Sequence, residues 1–208
     1  GIVYAMAVSG TNLYVGGNFT SAGGAAANYI GLWDGSAWSA LGTGMNSYVS
    51  AIAVSGVNVY AGGNFTTAGG SSANYIALWN GSAWSSLGTG VNNTVNAIAV
   101  SGTNVYTGGS FTTAGGVSAN RIAVWSGTSW SALGTGANGA VNAIAISGSD
   151  VYAGGSFTTA GSVTVNYIAR WDTSWHSLGT GTVGVGNYVN AIAISGGNIY
   201  AGGNFTTA

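Results

Sequence analysis

From Val49 to Val54 the chain reads Val-Ser-Ala-Ile-Ala-Val, which puts Ile52 and Val54 on one face of an extended strand and Ala51 and Ala53 on the other. Alternation with both faces apolar marks a strand covered on both sides. Ser55-Gly56-Val57-Asn58 predicts a turn. A second strand, Val59-Tyr60-Ala61, runs into Gly62-Gly63, where the missing Cβ admits close backbone approach or a bulge. A loop of Gly, Ser, Thr and Ala follows from Thr66 to Ala73. Tyr75-Ile76-Ala77-Leu78-Trp79 predicts a third strand and Asn80-Gly81-Ser82-Ala83 a hairpin turn. Trp84-Ser85-Ser86-Leu87 is the fourth strand. No segment carries a 3.6-residue apolar period with caps, and with no proline in the chain, glycine supplies the punctuation.

This pattern recurs. Ala5, Ala51, Ala97, Ala143 and Ala191 are equivalent marks, spaced 46, 46, 46 and 48 residues apart. Self-similarity at this period marks a repeat architecture, and the chain reads as one array of repeats 1–46, 47–92, 93–138 and 139–186 with a half-repeat 187–208. The fourth copy deviates twice. Trp171-Asp172-Thr173-Ser174-Trp175 is one residue shorter than Trp33-Asp34-Gly35-Ser36-Ala37-Trp38, and the stretch 181–186 is longer by three. Both changes fall at predicted turns, where length varies freely.

Four strands in about 46 residues predict an all-β fold, a β-propeller of four-stranded blades. The alternative is an open or linear β-repeat array, a solenoid. In the propeller the alanine-rich strand lines the crowded channel, and the pairs Trp33/Trp38, Trp79/Trp84, Trp125/Trp130 and Trp171/Trp175 fill the wider gaps between blades. Tyr60-Ala61-Gly62-Gly63 with Tyr75 and Trp79 resembles the double-glycine, Tyr and Trp pattern of Kelch-type propellers. It is closer still to the secreted Kelch-like repeats of fungal cortical-marker and bacterial surface proteins. The likeness extends over the whole chain, although Tyr75 and Trp79 stand closer together than in Kelch repeats. It implies no copper-radical oxidase site, whose ligands have no matching positions here.

Five first hairpins and four second ones give eighteen strands, or four and a half blades. Two half-blades of one kind do not complete each other. The expectation is therefore a piece of a longer chain, an open array, or assembly with other chains; a start at Gly1 in mid-repeat agrees with the first.

Only 2% of residues are charged, against roughly 25% in ordinary globular domains. There is no Lys and no Glu, only Arg121, Arg170, Asp34, Asp150 and Asp172, for a net charge of −1. Nothing here neutralises phosphates, which argues against nucleic acid, and no basic cluster meets an anionic membrane. No apolar run approaches the roughly 20 residues of a membrane-spanning helix. Cysteine is absent, so disulfides and thiolate metal sites are excluded. Solubility resting on Asn, Ser, Thr and Gly fits an extracellular or cell-surface protein.

Candidate chemistry is sparse. Asp34 and Asp172 share a repeat position with Asn80 and Ser126, and Asp150 stands where Asn12, Asn58, Asn104 and Asn198 stand; all suit turns that want a short acceptor. His176 replaces Ser39, Ser85 and Ser131 and reads as a surface substitution. With the aspartates scattered along the sequence, no carboxylate pair or nucleophilic triad assembles, and no catalytic residue, metal or cofactor is expected. Phe19, Phe65, Phe111, Phe157 and Phe205 recur throughout as anchors of the glycine loop. Asn18, Asn64 and Asn204 form N-x-T sequons where a host glycosylates asparagine.

One row of residues suits a ligand: Asn28-Tyr29, Asn74-Tyr75, Asn120-Arg121 and Asn166-Tyr167. An amide beside a ring or guanidinium plane, repeated once per blade, stacks on and hydrogen-bonds a sugar; the opposed reading is that Asn caps the loop and Tyr packs at the rim. The function expected is a non-enzymatic extracellular structural or adhesive module, assembling into a filament or surface layer. Its partners would be other copies or the rest of a longer chain, because no charge guards the strand edges. The alternatives are a multivalent glycan-binding propeller, gaining avidity by repetition, and a protein-docking platform.

Overall fold

The computed structural model describes residues 1–182 and 187–208. The first repeat forms β1 (Ile2–Ser9), β2 (Asn12–Asn18), β3 (Ser21–Ala22), β4 (Ala25–Ala26), β5 (Ile30–Trp33) and β6 (Trp38–Ala40). The second forms β7 (Val49–Ser55), β8 (Asn58–Gly63), β9 (Thr67–Ala68), β10 (Ser71–Ser72), β11 (Ile76–Trp79) and β12 (Trp84–Ser86). The third forms β13 (Val95–Ser101), β14 (Asn104–Gly109), β15 (Thr113–Ala114), β16 (Val117–Ser118), β17 (Ile122–Trp125) and β18 (Trp130–Ala132). The fourth forms β19 (Val141–Ser147), β20 (Asp150–Gly155), β21 (Thr159–Ala160), β22 (Val163–Thr164), β23 (Ile168–Trp171) and β24 (Trp175–Ser177). The half-repeat is the hairpin β25 (Tyr188–Ser195) and β26 (Asn198–Asn204).

Each complete repeat is a four-stranded antiparallel meander whose strands lie side by side in chain order, as in β7-β8-β11-β12. The expected four strands per repeat are present. The glycine-rich loop adds something the sequence did not announce, a two-residue hairpin such as β9–β10. The shortened turn of the fourth repeat does join β23 to β24. The longer insertion falls mostly on 183–186, outside the described residues.

Gly62-Gly63 serves two neighbours at once. Val49 pairs with Gly63 and Ala51 with Gly62, which leaves Ser50 as the extra residue of a β-bulge. A Cβ on Gly63 would collide with the Tyr48 carbonyl at that bulge. The same shift occurs between Val3 and Ala5, Val141 and Ala143, and Val189 and Ala191. Because of the extra residue, Val49 and Ile52 point the same way. Both reach Gly16 of the preceding sheet, where a Cβ would lie 2.5 Å from Val49 Cγ1 and 3.0 Å from Ile52 Cδ1.

The chain folds as two compact units, Gly1–Ile98 and Ala99–Ala208. In the first, the rear face of the β1–β6 sheet (Tyr14, Ile30) and its trailing Leu41 and Met45 pack on the front of the next sheet. That front offers Val49, Val59, Phe65 and Trp84, all buried. In the second, Ile122, Leu133 and Ala137 meet Val141, Val151, Phe157 and Trp175 in the same arrangement. Burying each such aliphatic or aromatic side chain contributes on the order of 1.5–3 kcal/mol. Of the five phenylalanines expected as anchors, Phe19 (9% exposed), Phe65, Phe111 and Phe157 are buried and Phe205 is only partly so.

Candidate functional site

The sequence-derived row of Asn and Tyr is tightly built into its loops. Asn28, Asn74, Asn120 and Asn166 each donate from Nδ2 to the carbonyl of Thr43, Thr89, Thr135 and Thr180, at 2.8–3.0 Å. Their own carbonyls accept from Met45, Val91, Ala137 and Thr182. Each Asn thus staples the loop before the next repeat. The following residue does not open the third strand, as the pattern suggested. Tyr29, Tyr75, Arg121 and Tyr167 have φ of 65°, 64°, 69° and 76°, and the strand begins one residue later. A left-handed turn at a bulky residue is strained. It is held because Tyr75 N donates to the Phe65 carbonyl at 2.8 Å and Gly63 N to the Tyr75 carbonyl at 3.0 Å. All four side chains are half-buried, and Arg121 is tied to the Ser110 carbonyl.

Two of the three aspartates scattered in sequence come together in space. Asp150, Arg170, Asp172 and His176 meet on the β19–β24 sheet. Arg170 Nη1 lies 3.0 Å from Asp150 Oδ2 and Nη2 lies 2.9 Å from Asp172 Oδ2. His176 Nε2 lies 3.0 Å from Asp172 Oδ1 and 3.0 Å from Ser174 Oγ. Sequence reasoning missed this cluster because it depends on register: Arg170 sits opposite both Tyr152 and His176. Its geometry is that of an ion-pair network. Ser174 and Asp172 approach the same ring nitrogen, whereas a nucleophilic triad needs the acid and the nucleophile on opposite nitrogens. Partial burial pushes the Asp172 carboxyl up. Hydrogen bonds from His176 and Ser174 and the charges of His176 and Arg170 outweigh it, leaving a lowered pKa. The bond to Asp150 is the main cause of the raised Arg170 pKa.

Asp34 is the turn acceptor its sequence position predicts. Its Oδ1 accepts from Ser36 N, Ser36 Oγ and Ala37 N at 2.7–2.9 Å. The bond from Ala37 N is the largest of the causes that lower its pKa. Asn80 makes the same three bonds in the second repeat. Among the described residues no group of three His, Cys, Asp or Glu side chains is placed to hold a metal.

The richest geometry lies where sheets meet. Trp84 Nε1 donates to the Leu41 carbonyl at 2.8 Å, and Trp175 Nε1 to the Leu133 carbonyl at 2.9 Å. Asn46 closes the same junction: its Oδ1 accepts from Thr66 N and Thr67 N, and its Nδ2 donates to Thr66 Oγ1. Asn138 does the same with Thr158 and Thr159. The regular recurrence of Leu and Asn was visible in the sequence, but not their partner across the junction. At the front of the β1–β6 sheet the leucine site is an open apolar pocket between Val3, Val15, Phe19, Ala22 and Trp38. In the half-repeat, the hairpin β25–β26 exposes Tyr200, where Tyr14 and Tyr60 are buried.

These observations define an all-β repeat protein of packed four-stranded sheets. No protein-family model and no curated protein matches the chain. Among solved structures it is similar to the computationally designed Ika4 protein, at 20% identity and a TM-score of 0.55, over 80% of this chain and 92% of that one. It is also similar to the computationally designed Ika8 protein, at 18% identity and a TM-score of 0.50, over 96% of this chain and 67% of that one. At such identities the likeness concerns the fold alone.

Proposed function

We propose that the chain is a non-enzymatic structural repeat module of the cell surface or extracellular space. Its sheets act as propeller blades, in the manner of the Kelch-like repeats its glycines and tryptophans resemble, and it works by presenting and extending a stack of like units. The meander order, with the first strand of each repeat at the sheet edge, supports the blade reading. The observation that carries the function is that the apolar faces packed together within each unit occur again, uncovered, at the first sheet and the last hairpin. Val3, Met6 and Val8 of the first strand are exposed, as is Tyr200. An exposed apolar face of this extent marks an interaction surface. With a net charge of −1, almost no repulsion keeps copies apart.

Light scattering coupled to size exclusion, over a hundredfold range of concentration, tests the reading. Species heavier than the 20.3 kDa chain, growing with concentration, are expected. A monomer throughout would refute self-association.

A further inference from the structure

Building on the self-association just proposed, we infer that the joint is heterologous: Val3, Met6 and Val8 of one copy dock on Tyr200 and Gly202 of a second copy. The contact is already made four times within the chain. Val49 packs on Gly16, Val95 on Gly62, Val141 on Gly108 and Val189 on Gly154. In each, a Cβ on the glycine would lie 2.9–3.1 Å from the valine Cβ, so only glycine admits the valine. Gly202 is the fifth glycine of this series and receives no valine; a Cβ there would meet only Ala191 Cβ, at 3.9 Å. Val3 is the valine with no glycine. It is 50% exposed, whereas Val49, Val95, Val141 and Val189 are fully buried.

The two faces are therefore the two halves of one joint, and this chain carries both. Neither β1, β25 nor β26 contains a charged residue, so nothing of the kind that normally guards a sheet against association stands in the way. A heterologous joint propagates, giving a ring if the rotation closes and an open filament if it does not.

Because the chain has no cysteine, Val3→Cys and Gly202→Cys can each be made as the sole thiol. Both sites are open, so circular dichroism like that of the parent is expected. The internal Cβ separations are within about 1 Å of the roughly 3.8 Å favoured by a disulfide, a gap that two separate copies close by a small shift. Under mild oxidation, an equimolar mixture of the two variants is expected to give at least a fivefold excess of covalent dimer over either variant alone. A mixture that cross-links no better than the single variants overturns the assignment. If the parent chain nevertheless assembles, only the choice of faces has failed; if it stays monomeric, self-association has failed with it. Gly202→Val supplies a second check, since a side chain filling the socket is expected to abolish assembly of an intact fold, and unchanged assembly would contradict the joint.

Discussion

At the scale of single residues, the double glycine separates two demands that look alike in sequence. The first glycine makes room for the next repeat's valine, and the second clears a carbonyl of its own sheet at the bulge. Gly62→Val overfills a closed joint and is expected to cost about 1–3 kcal/mol or more. At concentrations low enough to keep the chain monomeric, Gly202→Val meets open space and should leave the urea midpoint unchanged; equal losses at both positions would contradict this account. The need for glycine was legible in the pattern, but its partner was not. Tyr75 was misread as the first strand residue because side-chain alternation carries no information about the sign of φ. Its left-handed turn is imposed by backbone bonds to Phe65 and Gly63 and by the Asn74 staple.

Individual elements show the same division. The second hairpin of each repeat, with its paired tryptophans, follows from turn chemistry and local alternation, and Trp79 and Trp84 do sit opposite each other with ring centres 5.5 Å apart. What the hairpin is for appears only across the joint, where Trp84 reaches the Leu41 carbonyl. Trp84→Phe removes that bond and leaves the Leu41 carbonyl with only the one from Gly44 N, at a cost of about 0.5–1.5 kcal/mol. The Trp38 indole has no acceptor among the described residues, so Trp38→Phe should cost less by about 1 kcal/mol, read as the difference in urea-unfolding free energy. The hairpins β3–β4, β9–β10, β15–β16 and β21–β22 escaped sequence reading because two residues per strand are too few to show a period. Of these, β9–β10 and β21–β22 are fixed by bonds to the preceding repeat, Gly69 N to the Gly44 carbonyl and Gly161 N to the Gly136 carbonyl, each at 2.8 Å.

For the molecule as a whole, scarcity of charge leaves the acid response to a few carboxyl groups. Asp34 and Asp172 have pKa values lowered below 3.8 in the folded chain. A depressed carboxylate contributes stability that is complete above its unfolded pKa and is lost as pH falls through its folded one. Stability to urea should therefore decline as pH is taken below about 4. Asp34→Asn, which keeps the three turn bonds that Asn80 makes, should keep its stability at neutral pH and shed part of that decline. A decline of the same size in Asp34→Asn would rule Asp34 out as a source. The ionic cluster around Arg170 could not be foreseen, since Asp150, Asp172 and His176 come together only through the register of β20, β23 and β24.

By itself, the sequence determined the repeat, its period and its four longer strands, because each depends on alternation and turn residues within a few positions of one another. The tertiary structure decided which faces meet, which glycine receives which valine, and where joints are left open. Those are properties of residues some 33 to 43 positions apart, and a one-dimensional pattern repeated five times looks the same whether its faces are filled or bare.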